Sequence, residues 1–118
     1  MSLLRQTIAM EFPKVDCAEW SAKFGISVEF ARIAHSMGVS EVALLEFFTR
    51  LNLVGLGQPI TEFAVDNDEI KRRLHQTQMD AAANVVLDAL RKIGEPNQRL
   101  AAVYECFGRD GRELLYLL

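Results

Sequence analysis

Two cysteines, three prolines and a single tryptophan are the scarce residues of this 118-residue chain, and each scarcity excludes something. Cys17 and Cys106 stand far apart, so neither a disulfide framework nor a zinc-type CxxC pair is available to brace the fold. Three prolines and seven glycines are too few for collagen-like or linker-like sequence. Uninterrupted apolar runs reach only a few residues. That is too short for a bilayer span or for the apolar centre of a secretion signal, so the expected location is the cytoplasm and no membrane partner is expected. Charge is not one-sided: 13 Lys and Arg face 16 Asp and Glu, giving a net charge of −3. That balance argues against a generally polyanion-seeking surface and leaves a local basic patch open. His35 and His75 are widely separated and no HExxH occurs. Gly55-x-Gly57 lacks the third glycine of a dinucleotide loop, and no Walker-type lysine follows it. No metal, no cofactor and no catalytic nucleophile with its base is expected, and so no enzymatic activity.

What is present is the composition of one globular domain over residues 1–118, half hydrophobic and a quarter charged. The fold class expected is mainly α. Three short helices follow one another between about residues 16 and 52, separated by Gly25-Ile26-Ser27 and Gly38-Val39-Ser40. In each corner the glycine can end one helix, the aliphatic residue can fill the bend and the serine can cap the next helix. The first helix runs from Asp16, a cap paired with Glu19, to Phe24, with Trp20 and Phe24 on one face. The second, Val28 to Met37, buries Phe30 or Ala31, Ile33, Ala34 and Met37. The third, Glu41 to Leu51, buries Val42 or Leu44, Leu45, Phe47 and Phe48. Residues 53–65 read as a short β-hairpin around Gly57-Gln58-Pro59, or equally as a tight loop. Asp66 with Glu69 caps a long helix that carries Ile70, Leu74, Ala81, Val85 and Leu90 or Ile93 to its stop at Gly94 and Pro96. The last stretch reads as a helical pair, Asn97 to Phe107 and Asp110 to Leu118, with a hairpin turning at Asp110-Gly111 as the alternative.

Phe30 to Thr49, about 20 residues, resembles the helix-turn-helix of DNA-binding regulators. Ala34 is small where two helices cross, Gly38 makes the turn, Val39 fills the corner, Ser40 caps the second helix, and Leu44 with Phe47 inserts behind it. The resemblance implies a tri-helical core over residues 16–52 and a recognition helix starting at Glu41. It implies a transcription regulator that binds DNA as a dimer, with residues 66–118 as a helical extension available for dimerisation. Ser40, Glu41, Val42, Leu45, Glu46, Thr49 and Arg50 would then face the groove, with Arg32 and Lys71, Arg72 and Arg73 on phosphates. Base edges and phosphates are met by Arg, Lys, Asn and Gln, yet the outward positions carry two carboxylates and two aliphatics. Across residues 27–52 Arg32 and Arg50 are outnumbered by Glu29, Glu41 and Glu46.

A second function therefore stands beside the first: a non-enzymatic adaptor or inhibitor that docks this acidic and aliphatic helix face onto a basic protein partner. The run Lys71-Arg72-Arg73, balanced by Asp66, Asp68 and Glu69, reads more readily as a solvated helical face than as a phosphate contact. Asp66-Asn67-Asp68-Glu69 lacks the ligand series and glycine of a calcium loop and reads as a helix cap. Cys106 reads as a small buried hydrophobe, and the aromatics at helical spacing as core. The tail Leu114-Leu115-Tyr116-Leu117-Leu118 must pack on its own domain or on a second subunit, and a homo-oligomer is expected.

Overall fold

The computed structural model describes residues 17–118. Six α-helices occur there: α1 (Cys17–Phe24), α2 (Val28–Ser36), α3 (Glu41–Gly55), α4 (Asn67–His75), α5 (Met79–Arg91) and α6 (Pro96–Phe107), followed by a 3₁₀ segment, Arg109–Leu117. No strand occurs among the described residues, so the mainly α class holds and both hairpin readings are corrected. The Asp16 cap lies outside the described residues.

The local chemistry explains each boundary. At the first corner Gly25 takes φ +72°, and the N–H of Ile26 reaches back to the Ser21 carbonyl at 3.2 Å. At the second, Gly38 takes φ +89°, the N–H of Val39 bonds the Ala34 carbonyl at 3.0 Å and that of Gly38 the His35 carbonyl at 3.1 Å. This left-handed stop satisfies carbonyls that a helix end would otherwise leave open. Ile26 and Val39 are buried in their bends. Ser27 and Ser40 accept from the N–H of Phe30 and Ala43, as helix caps do.

α3 does not stop at Leu51. Leu53, Val54 and Gly55 continue it, because Val54 falls on the same face as Phe47 and Leu51 and is buried with them. The hairpin's first run is thereby consumed, and residues 56–66 form an irregular loop tied from two sides. The Arg50 guanidinium donates to the Gln58 and Pro59 carbonyls at 2.9 and 2.8 Å. The Asn67 amide brackets Ile60, accepting from its N–H at 2.8 Å and donating to its carbonyl at 2.9 Å. Ile60 is buried as a result.

The expected long helix is two helices. α4 ends at His75, Thr77 takes φ +55°, and the N–H of Gln78 closes on the Arg73 carbonyl at 2.8 Å. This is the same left-handed stop as at Gly25 and Gly38, built here without glycine. The buried set is then Ala82, Ala83, Val86, Leu87 and Leu90: Leu90 as expected, but Ala82 and Val86 in place of Ala81 and Val85. α4 and α5 pack on each other as a helical hairpin. Glu95 caps α6 through the N–H of Gln98, with Pro96 in the first turn where a missing N–H costs nothing.

α3 is the central element and meets α1, α4, α5, α6 and the 3₁₀ segment. A run of aromatic rings crosses it. Phe24 stacks on Phe48 with centroids 5.5 Å apart, Phe30 meets Phe48 edge-on, Phe48 meets Phe47 at 5.0 Å, and Phe47 meets Phe107 at 5.2 Å. Leu44, Phe47, Phe48, Leu51 and Val54 are buried there, each contributing about 1.5–3 kcal/mol of hydrophobic free energy. The tail packs on its own subunit: Leu114 is buried, and Leu115, Leu117 and Leu118 lie against the core. Ile33 and Met37, expected inside, are about half exposed; Leu44 is buried in preference to its alternative Val42, and Val42 and Leu45 are half exposed on the side that the helix-turn-helix resemblance turns outward. α2 leans chiefly on α1, with Ala31 and Ala34 buried and Phe30 half-buried on its inner side.

Candidate interaction surface

The surface to be tested begins at the Gly38 corner and runs along α3. Two carboxylates from distant parts of the chain close the N-termini of α2 and α3. Asp80, in the first turn of α5, accepts from the Ser27 N–H at 2.9 Å and from the Ser27 hydroxyl at 2.6 Å. Glu113, in the 3₁₀ segment, accepts from the Ser40 N–H at 2.7 Å. Tyr116 lies over Gly38, with ring carbons 3.8–3.9 Å from where a Cβ would stand. Each acid also sits where a helix dipole favours negative charge. These two residues were not singled out from the sequence, because nothing local marks an acid that will meet a serine 53 or 73 positions away.

The predicted contact residues do not form one surface. Ser40 is half-buried and engaged as a cap. Glu41, Val42, Leu45, Glu46 and Thr49 share the exposed side of α3. Glu41 pairs with Lys23 of α1, and that hydrogen bond holds its carboxyl below the ordinary carboxylate value. Arg50 is turned away from this face and spent on the loop carbonyls. Arg32 is exposed on α2, a separate helix. Lys71, Arg72 and Arg73 lie on α4, which packs beside the other end of α3: Leu74 comes within 3.1 Å of a Cβ position at Gly55. A 15-residue helix is about 22 Å long, so the basic run is about that far from Ser40. Arg72 and Arg73 both pair with Glu69, the latter at 2.7 Å.

The outer face is therefore acidic and aliphatic at its N-terminal end, with Arg50 tied to the loop carbonyls, Lys23 paired with Glu41, and Arg32 exposed on the neighbouring helix. A groove of about 230 Å³ lies between α2, α5 and the tail, lined by Phe30, Ile33, Asn84, Leu87, Arg91 and Leu117. Its one cation, Arg91, is held by Asp88 and by the Leu117 carbonyl at 2.5 and 3.0 Å. Cys106 is buried on α6 near Glu62 and Arg50, and desolvation pushes its thiol up to about 12. Among the described residues no group of three or more His, Cys, Asp or Glu side chains could hold a metal ion, and no helix is long and apolar enough to cross a membrane. Comparison with protein-family models, curated proteins and solved structures gives no match to this chain.

Proposed function

We propose that this protein is a non-enzymatic protein-interaction module that contacts its partner through the outer face of α3. The observation that carries this reading is the occupation of the α3 N-terminus by Glu41 and Glu113, with Val42, Leu45 and Glu46 free beside them. A groove-reading helix offers its first turn, free N–H groups and basic or amide side chains to phosphate and base edges. Here a carboxylate already takes the Ser40 N–H, Arg50 is tied to carbonyls, and Arg32 is the exposed arginine of the corner. A phosphate approaching Ser40 meets two acids. An aliphatic patch rimmed by carboxylates is instead the anatomy of a protein contact, apolar inside and polar at the edge.

Two measurements test the reading. Polarisation with labelled genomic duplexes at low salt is expected to show no saturable binding. Saturable binding that weakens on Arg32→Ala would support DNA recognition through the Gly38 corner and overturn the proposal. A photo-crosslinking amino acid placed at Leu45 is expected to give protein adducts in cells, lost when Glu46→Lys is added. Adducts with nucleic acid alone would contradict it.

A further inference from the structure

The exposed side of α3 carries a pattern that reads the same in both directions. Val42, Leu45, Thr49, Leu53 and Leu56 follow at spacings of three, four, four and three, so they form one stripe along the helix. Val42 is 51% exposed, Leu45 47% and Leu56 79%, with Thr49 exposed and Leu53 half-buried. The stripe is centred on Thr49. An antiparallel copy of the same helix, related by a two-fold axis through Thr49, places Val42 against Leu56, Leu45 against Leu53 and Thr49 against Thr49. Each apolar position thus meets an apolar position, twice over, which is the self-complementarity an isologous dimer contact requires.

The polar rim matches as well. The same register sets Glu46 opposite Asn52, a carboxylate facing an amide that can donate to it. It sets Glu41 opposite Gly57, in a shallow concavity that Val54, Gly57, Pro59, Asn67, Asp68 and Lys71 line. Lys71 has no carboxylate within ion-pair distance among the described residues, whereas its neighbours Arg72 and Arg73 are held by Glu69. An incoming Glu41, bonded to Lys23 of its own copy through Oε2, supplies that partner through its second oxygen, Oε1, with Asp68 as the opposing charge on the same rim. Antiparallel pairing also sets the acidic N-terminal end of each α3 beside the basic flank of the other, and opposes their dipoles. In parallel pairing Glu41 and Glu46 would each face their own copies.

We infer that the occupant of this face is a second copy of the chain, bound antiparallel through α3 about a two-fold axis at Thr49. The inference rests on the protein-contact reading above and names its partner. The contact is a single helical seam, so a reversible monomer–dimer equilibrium is expected and not an obligate dimer.

Sedimentation equilibrium on the full chain measures the association, with a monomer–dimer equilibrium expected. Leu45→Asp is expected to weaken it at least tenfold while leaving circular dichroism and the melting temperature in place, since Leu45 is not part of the core. In a Cys17→Ser background, Thr49→Cys is expected to be joined to itself by a short bismaleimide. Val42→Cys is expected not to self-link, but to link when mixed with Leu56→Cys. Self-linking of Val42→Cys, or failure of both Thr49→Cys and the mixed pair, overturns the antiparallel dimer. The photo-crosslinker at Leu45 separates the two proposals. A self-adduct supports both, an adduct with a different protein sinks the dimer and keeps the interaction module, and no protein adduct at all sinks both.

Discussion

Thr77 holds a left-handed backbone, φ +55°, that a β-branched residue adopts at a cost. Glycine carries no such cost, so Thr77→Gly is expected to stabilise the fold by about 1 kcal/mol, seen as a raised urea midpoint with an unchanged slope. Cys106 gives a second prediction at this scale. Its thiol is held at about 12 by burial and by Glu62, against an ordinary value of 9.0. The unfolded chain releases that proton first as pH rises, so the contribution of the protonated Cys106 thiol to native stability is full below pH 9 and is lost between about 9 and about 12. Chemical denaturation across that range should show a shallower alkaline loss for Cys106→Ala than for the wild type. Maleimide labelling of the native protein is expected at the partly exposed Cys17 and not at Cys106. Glu41 behaves in the opposite sense. Its lowered pKa means that the Lys23 pairing contributes at neutral pH and is lost as acid is added. An NMR titration should find the Glu41 carboxyl below the ordinary glutamate value and restored to it by Lys23→Ala.

The 3₁₀ segment is the most unusual element. Nine residues exceed the three or four typical of such helices, and the sequence gives the reason. Gly111, Leu114 and Leu117 recur every third residue, so a helix of three residues per turn aligns all three on the inner side: Gly111 and Leu114 are buried and Leu117 half-buried. A Cβ at Gly111 would stand 2.5 Å from that of Phe107, closer than carbon atoms can approach. Gly111→Ala is therefore expected to destabilise by about 1–3 kcal/mol or to displace the segment, measurable as a lower melting temperature. Much at this scale was legible in the chain. The two glycine–aliphatic–serine corners, the shared face of Trp20 and Phe24, and the Asp66 cap are local signals, and local chemistry decides them. The break at Gln76 to Gln78 was not legible, because no glycine or proline marks it and Ile70, Leu74, Ala81 and Val85 keep a helical spacing across it. The hairpin over 53–65 failed for a related reason. The short run Leu53-Val54-Gly55 fits a strand or a helix end alike, and burial of Val54 against Leu51 decides for the helix. The outer face of the candidate surface could be named from the sequence, whereas its closure by Asp80 and Glu113 depends on contacts across more than 50 residues.

For the molecule as a whole, those two carboxylates tie the N-terminal helices to the C-terminal half. Asp80 joins the corner before α2 to α5, and Glu113 joins the corner before α3 to the 3₁₀ segment. Asp80→Ala and Glu113→Ala are each expected to cost about 1 kcal/mol in denaturant melts, because these hydrogen bonds are charge-assisted yet reachable by water. Being at separate corners with no shared partner, their effects should add in the double variant. The Phe24–Phe48–Phe47–Phe107 stack bridges the same two halves through the core.

Residues 109–117 leave the ribosome after every other element described, yet Leu114 is needed to cover the centre of α3. Until they arrive, the inner side of α3 stays open and Ser40 lacks its acid, so the nascent chain holds helices without a finished interior. Stalled chains ending before Arg109 should accordingly be cut readily by protease within α3, while chains carried beyond Leu118 by a linker should resist.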